Sequence, residues 1–250
     1  MSKKIILIII AVIILGGIGY LIYQPKTEES SVVPPEQRLA ADPLNAAYII
    51  EGEEFALVNG RAEKEIIPGS ASKTIILYFG NDVTGDLNRD GRNDTAFLLT
   101  KDNGGSGTFY YVVVALNTEE GYQGTNAILL GDRIAPQTTE IRDRKIIVNY
   151  AERRTDEAMI TPPSIGITKQ LALEGTTLKD ITSEEAIKEQ ACALSGGIIK
   201  TSLCCASASD FPNLCLIGAC GCSPADSHQV KVCDCGEDKC FNGSGCIVIQ

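Results

Sequence analysis

The chain has 250 residues, a formal net charge of −10, 44% hydrophobic residues, ten cysteines, a single histidine and no tryptophan. That length accommodates one ordinary domain and a small one. A surface this acidic repels nucleic-acid phosphates and anionic lipid headgroups, which excludes nucleic acid as a partner. One imidazole in the whole chain leaves little of the usual acid–base chemistry.

The first 24 residues hold two lysines and no acids, so the remainder carries −12, from 20 basic and 32 acidic side chains. Ile5 to Tyr23 is an almost unbroken apolar run of 19 residues. As a helix it matches the ~30 Å hydrocarbon core of a bilayer. Lys3 and Lys4 precede it, which predicts a cytoplasmic N-terminus, and Tyr20 and Tyr23 lie where an interfacial aromatic belt forms. Residues 1–24 therefore read as a transmembrane anchor, with a cleaved signal peptide as the alternative. The run continues through Leu21 and Ile22, which argues for retention. No cysteine lies nearby, so a lipoprotein anchor is excluded. Residues 25–44 read as a linker. They are rich in proline and polar residues and too poor in apolar ones to fold alone.

Residues 45–181 alternate short apolar runs with turn residues. AAYII, EFALVNG, TIILYF, TAFLLT, TFYYVVVAL, AILLGD, KIIVNYAE and ITKQLAL are rich in β-branched and aromatic residues and have strand lengths. No helical period is sustained across the span. The expectation is a mainly β domain, an antiparallel β-sandwich or open barrel. Asn59-Gly60 and Asn103-Gly104 predict hairpin turns, and Ile141–Arg144 a further turn. TFYYVVVAL is apolar throughout and should be central, with Phe109, Tyr110 and Tyr111 as core residues. Gly104–Thr108 reads as a hairpin loop. It lacks a Gly-Lys-Ser/Thr end and leads into a strand, which argues against a phosphate cradle.

Between two of these strands lies TGDLNRDGRNDTAFLL. Asp86, Asn88, Asp90 and Asp94 occupy positions 1, 3, 5 and 9 of a D-x-N-x-D-G rhythm, with Gly91 at position 6. Calcium is a hard cation that takes six to eight oxygens, and alternate side chains of a tightly curled loop converge on one point. The backbone carbonyl of Arg92 stands at position 7. Phe97 stands where an EF-hand has its bidentate Glu, and the flanks are strands. The segment resembles the β-hosted calcium loops of the FG-GAP type, carried here by Gly85, Asp86, Asn88, Asp90, Gly91 and Asp94. With one copy, the resemblance implies a single structural calcium and no propeller. The competing reading is an acidic surface turn without metal.

Residues 182–250 begin with a short helix. Thr182 is expected to cap it, with Glu185 closing a capping box, and Gly196-Gly197 to end it. All ten cysteines fall in the last 59 residues: Cys192, Cys204, Cys205, Cys215, Cys220, Cys222, Cys233, Cys235, Cys240 and Cys246. An even count in a small unit that cannot build an adequate core predicts five disulfides. The pairing is not readable from spacing. A thiolate metal cluster, with His228 as a possible ligand, and a redox-active pair are the alternatives. Gly85–Asp94, Gly104–Tyr111 and Ser202–Phe241 together resemble uncharacterised membrane-anchored envelope proteins of bacteria with reduced genomes. The resemblance implies placement in the envelope and no activity.

These features lead to a single-pass cell-membrane protein with its C-terminal ectodomain outside the cytoplasm. The expected role is binding of a protein or envelope ligand, without catalysis. The alternative is an envelope enzyme or a thiolate metal binder. A hydrolase would have only His228 as base. A thiol oxidoreductase would lack C-x2-C and a parallel βαβ unit.

Overall fold

The computed structural model describes residues 39–216 and 220–249. The predicted membrane segment and the linker as far as residue 38 lie outside these residues. Among the described residues no helix is long and apolar enough to cross a membrane.

Leu39–Gln250 forms one compact, mainly β unit. Strands β1 (Ala47–Ile50) and β2 (Glu53–Ala56) pair as a hairpin. Strands β3 (Arg61–Glu65), β4 (Lys73–Gly85), β5 (Asp94–Asp102), β6 (Phe109–Thr118), β7 (Gly121–Gly124) and β8 (Ile128–Asp132) make a six-stranded antiparallel sheet. Its order is β3-β4-β5-β6, with β7 and β8 both paired to β6. Strands β9 (Ala135–Arg142), β10 (Lys145–Glu152), β11 (Ile165–Glu174) and β12 (Thr177–Asp180) make a four-stranded antiparallel sheet in the order β12-β11-β10-β9. The C-terminal part holds helix α1 (Glu184–Leu194), the ribbon β13 (Ile198–Cys205) with β14 (Ser227–Asp234), and the short pair β15 (Lys239–Phe241) with β16 (Cys246–Val248).

The two larger sheets pack face to face as a sandwich. Ala96, Leu98, Val112 and Val114 meet Ile146, Val148, Tyr150, Ile167 and Leu171 in one buried cluster. The opposite face of the larger sheet is covered as well. Phe97, Leu99, Tyr111, Val113 and Ile76 pack against Tyr48, Ile50, Phe55 and Leu57 of the β1–β2 hairpin and the residues beside it. Period-2 alternation sends neighbouring side chains of β5 and β6 to opposite faces, so strands apolar at every position fit only between two layers. TFYYVVVAL is that central strand, and Tyr111 is buried within it.

Eight strands were readable from apolar runs, and twelve precede α1. The additional ones are β3, β7, β9 and β12, whose sequences RAEKE, GYQG, APQTTEIR and TLKD carry few apolar residues. β3, β9 and β12 are edge strands. The predicted turn at Ile141–Arg144 is shorter than expected. β9 runs through Arg142, and only Asp143 and Arg144 turn, both with positive φ. Asn59-Gly60 turns as predicted, with φ of 49° and 78°.

The last part of the predicted linker belongs to the fold. Tyr122 N donates to Ala40 O at 2.7 Å, and Pro43–Asn45 forms a 3-10 turn capped by Asp42. Leu44 packs on the hairpin cluster. Close approach here requires glycine in β7, because a Cβ on Gly124 would lie 2.0 Å from Ala47 O.

Phe97 is fully buried at the centre of the hairpin cluster, with edge-to-face contacts to Tyr48 and Tyr78, each at 5.6 Å between ring centroids. Phe97→Ala is expected to cost ~3–5 kcal/mol of unfolding free energy. Val58→Ala, at a side chain 67% exposed, should stay within about 0.5 kcal/mol. Urea denaturation of the two variants measures both.

Candidate functional site

The acidic loop connects β4 to β5, with Gly85 paired to Asp94 at its base. Leu87 is buried in the sandwich core and anchors the loop from within. The loop curls because its carboxylates accept its own amides. Asp86 Oδ1 accepts from Arg89 N at 2.7 Å and Asp90 N at 3.2 Å, and Asp86 Oδ2 accepts from Gly91 N at 3.1 Å. Asn88 Oδ1 accepts from Asp90 N at 3.0 Å, and Asp90 Oδ1 from Arg92 N at 2.8 Å. The Arg92 guanidinium donates to Asp90 Oδ2 at 2.8 Å and to Asn117 O at 2.8 Å. The Arg92 amide first, then the Asn88 side chain and the Arg92 guanidinium, hold the Asp90 carboxyl below its ordinary range against the opposing effect of desolvation.

Asp94 differs from the other three. It is fully buried, and its two oxygens accept from Leu87 N and Asn117 N, each at 3.0 Å. It ties the loop to β6, and burial pushes its carboxyl upward. The structure thus brings Asp86, Asn88 and Asp90 together on one curl with Asp94 beneath. The carboxylates of Asp86, Asp90 and Asp94 do not place one oxygen each within 4.8 Å of one another.

A second site is a cavity of about 430 Å³ where α1 meets the inner face of the four-stranded sheet. Leu130 of β8, Ile167 of β11 and Ile187, Ala191 and Leu194 of α1 supply its apolar lining. Glu152, Lys169 and Asp180 bring charge to it. Lys169 and Asp180 pair at 2.7 Å. The Glu152 side chain makes no hydrogen bond among the described residues, and partial burial raises its carboxyl above the ordinary glutamate range, with Lys169 and Arg153 opposing. Its position is legible in hindsight. In KIIVNYAE, Glu152 continues the alternate positions Ile146, Val148 and Tyr150, all of which face the core.

The helix that closes this cavity starts one residue later than expected. Ser183 is its N-cap, accepting from Ala186 N at 3.2 Å. Thr182 is held by the sheet instead, accepting from Gln170 N at 3.0 Å and donating to Asp180 at 2.6 Å. Gln190 donates to Thr168 O at 2.9 Å, and Lys231 pairs with Glu185 at 2.8 Å, joining sandwich, helix and ribbon.

All ten cysteines are bridged: Cys192–Cys233, Cys204–Cys220, Cys205–Cys222, Cys215–Cys240 and Cys235–Cys246. The core they enclose is small. One cluster holds Phe211 and Phe241 with Cys192 and Cys233, and another holds Cys204, Val230 and Val232. The closed loops span separations of 11 to 41 residues. A loop of about 15 residues is worth ~3 kcal/mol in the chain-entropy account. Three exposed apolar side chains gather at the C-terminal end, where Ile247, Val248 and Ile249 line a depression beside Cys215–Cys240. His228 lies on β14 opposite Cys204 and makes no side-chain hydrogen bond among the described residues.

Comparison with protein-family profiles, curated proteins and solved structures returned no match.

A carboxyl whose folded pKa is raised stabilises the fold fully below its unfolded value, and that contribution is lost as pH rises through the folded value. Glu152→Gln removes the cost of desolvating this half-buried charge. The variant should therefore melt at a higher temperature than the parent at pH 7. The difference should vanish well below pH 4.5. Calorimetry of both proteins across that range checks the sign.

Proposed function

We propose that the chain is a membrane-tethered extracytoplasmic binding protein. In this reading the apolar segment at residues 5–23 anchors it, the β-sandwich is a rigid platform, and the disulfide-locked C-terminal part is the recognition module. The single observation that carries the reading is the five disulfides. Bridges of this density persist in oxidising compartments and are rare in the cytosol. The exposed side chains of Ile247, Val248 and Ile249 support a protein or envelope ligand as the partner of this module, since clustered exposed apolar groups mark contact surfaces.

Protease added to intact cells is expected to cut in the linker, release the rest of the ectodomain whole and leave a membrane-bound N-terminal stub. When reductant is added as well, the segment from about residue 201 should be degraded while residues 45–180, which contain no cysteine, survive. A C-terminus that stays with the cells under protease until they are lysed rejects the outward placement. Persistence of the C-terminal segment in reductant rejects the dependence on cross-links.

Calcium at the acidic loop is part of the same proposal, in a structural role. The donor set suits a hard cation. Asp86, Asn88 and Asp90 offer side-chain oxygens, the Arg92 carbonyl joins them, and Asp94 holds the base of the loop. The Arg92 guanidinium now neutralises Asp90, so an incoming cation has to displace it from Asp90 Oδ2. Calcium should raise the melting temperature, with stabilisation reaching ~2.7 kcal/mol at a hundredfold excess over Kd. Asp90→Ala should abolish that rise. Identical melting in calcium and in chelator would leave the loop as a turn alone.

A further inference from the structure

The two disulfides Cys192–Cys233 and Cys235–Cys246 lie side by side. Cys233 Sγ is 3.8 Å from Cys246 Sγ and 3.9 Å from Cys235 Sγ. The sulfurs of Cys233, Cys235 and Cys246 all fall within 4.8 Å of one another. They arrive from three separate elements. Cys192 is on the last turn of α1, Cys233 is near the end of β14 with Cys235 just beyond it, and Cys246 opens β16. Gly197 closes the group. A Cβ at that position would lie 2.3 Å from Cys233 Sγ, 2.8 Å from Cys192 Sγ and 3.0 Å from Cys246 Sγ. The sulfurs therefore converge against bare backbone, in space that no larger residue leaves free.

A tetrahedral zinc site with Zn–S of about 2.3 Å has S···S edges of ~3.8 Å. The two non-bonded spacings around Cys233 already have that value. Of the four other edges, two are the S–S bonds themselves, which open on reduction, and two run from Cys192 to Cys235 and to Cys246 and have to close, because Cys192 is outside the group of sulfurs within 4.8 Å of one another. Thiolates are soft ligands and suit zinc rather than a hard cation. The remaining six cysteines are bridged elsewhere, at Cys204–Cys220, Cys205–Cys222 and Cys215–Cys240. Cys235 and Cys246 are half-buried while Cys192 and Cys233 are buried, so a reductant reaches Cys235–Cys246 first.

We infer that Cys192, Cys233, Cys235 and Cys246 form a two-state site, two disulfides when oxidised and a tetrathiolate zinc site when reduced. The exchange balances with a dithiol as reductant. Two dithiol molecules reduce the two S–S bonds to four thiols and leave as two cyclic disulfides. One Zn²⁺ then displaces four protons and binds four thiolates, giving a site with a net charge of −2. Gly197 is a positioning residue, and the calcium loop takes no part.

The test uses the full-length protein in detergent, reduced anaerobically with a phosphine and titrated with Co²⁺ as a spectroscopic stand-in for zinc. The reduced protein should take up one Co²⁺ per chain with sulfur-to-metal charge-transfer and tetrahedral d–d bands, and zinc should bleach them. The oxidised protein should show neither. The double variant Cys235→Ser/Cys246→Ser should bind at least tenfold more weakly, while Cys204→Ser/Cys220→Ser keeps the spectrum. Zinc should also restore protease resistance to the reduced C-terminal segment of the parent protein. Absence of the cobalt spectrum from the reduced parent overturns the inference. So does an equal spectrum in the two double variants, because any reduced cysteines would then serve. The reductant test of the proposed function contains no added metal, so its failure and the failure of this inference are separable.

Discussion

The pairing of β5 with β6 joins Thr95–Lys101 to Phe109–Ala115 in unbroken antiparallel register. Both strands are apolar on both faces, and no single layer can dry them. The four-stranded sheet covers one face through Ala96, Leu98, Val112 and Val114, and the β1–β2 hairpin covers the other through Phe97, Leu99, Tyr111 and Val113. The remaining architecture follows from this double demand. The hairpin must dock, which brings Leu39–Asn45 onto β7. The second sheet must lie opposite, which places β4 against β9 and the loop residue Leu87 in the shared core. The acidic loop is held by the same sandwich, since Asp94 opens β5 and reaches Asn117 of β6.

A different force holds the C-terminal part. Its buried clusters contain two phenylalanines, two valines and several half-cystines. Apolar burial on that scale does not offset the conformational entropy of so many ordered residues. Cross-links remove that entropy from the unfolded chain instead. The first of them, Cys192–Cys233, fastens the ribbon to α1. The same helix lies along β11 and closes the cavity that Glu152 lines. Helix α1 is therefore the joint between a part held by burial and a part held by covalent bonds. At that joint sits the inward-facing Glu152 carboxyl, which has no side-chain hydrogen bond among the described residues.

Charge is handled locally. The chain is strongly acidic, yet the carboxylates of Asp86 and Asp90 are spent on backbone amides and on Arg92. Lys101 is buried and is matched by Glu51, which also accepts from Tyr111, both at 2.5 Å. The ion pair lies at the β1–β2 turn and gives the buried lysine its partner.

Much of this could be read from residues alone. Long β-branched and aromatic runs named the inner strands, because burial on two faces demands apolar side chains at every position. Asn59-Gly60 named its turn, because that backbone favours those two residues. The clustering of ten cysteines in the last 59 residues named the cross-linked part. The tertiary structure alone decided the rest. β3, β9 and β12 are polar edge strands whose identity depends on a neighbour's free amides and carbonyls rather than on their own side chains. The helix cap passed from Thr182 to Ser183 because the sheet claimed the threonine hydroxyl. Disulfide partners follow proximity in space, and spacing along the chain carries no such information. The convergence of the Cys192, Cys233 and Cys246 sulfurs on Gly197 exists only once α1, β14 and β16 have been brought together.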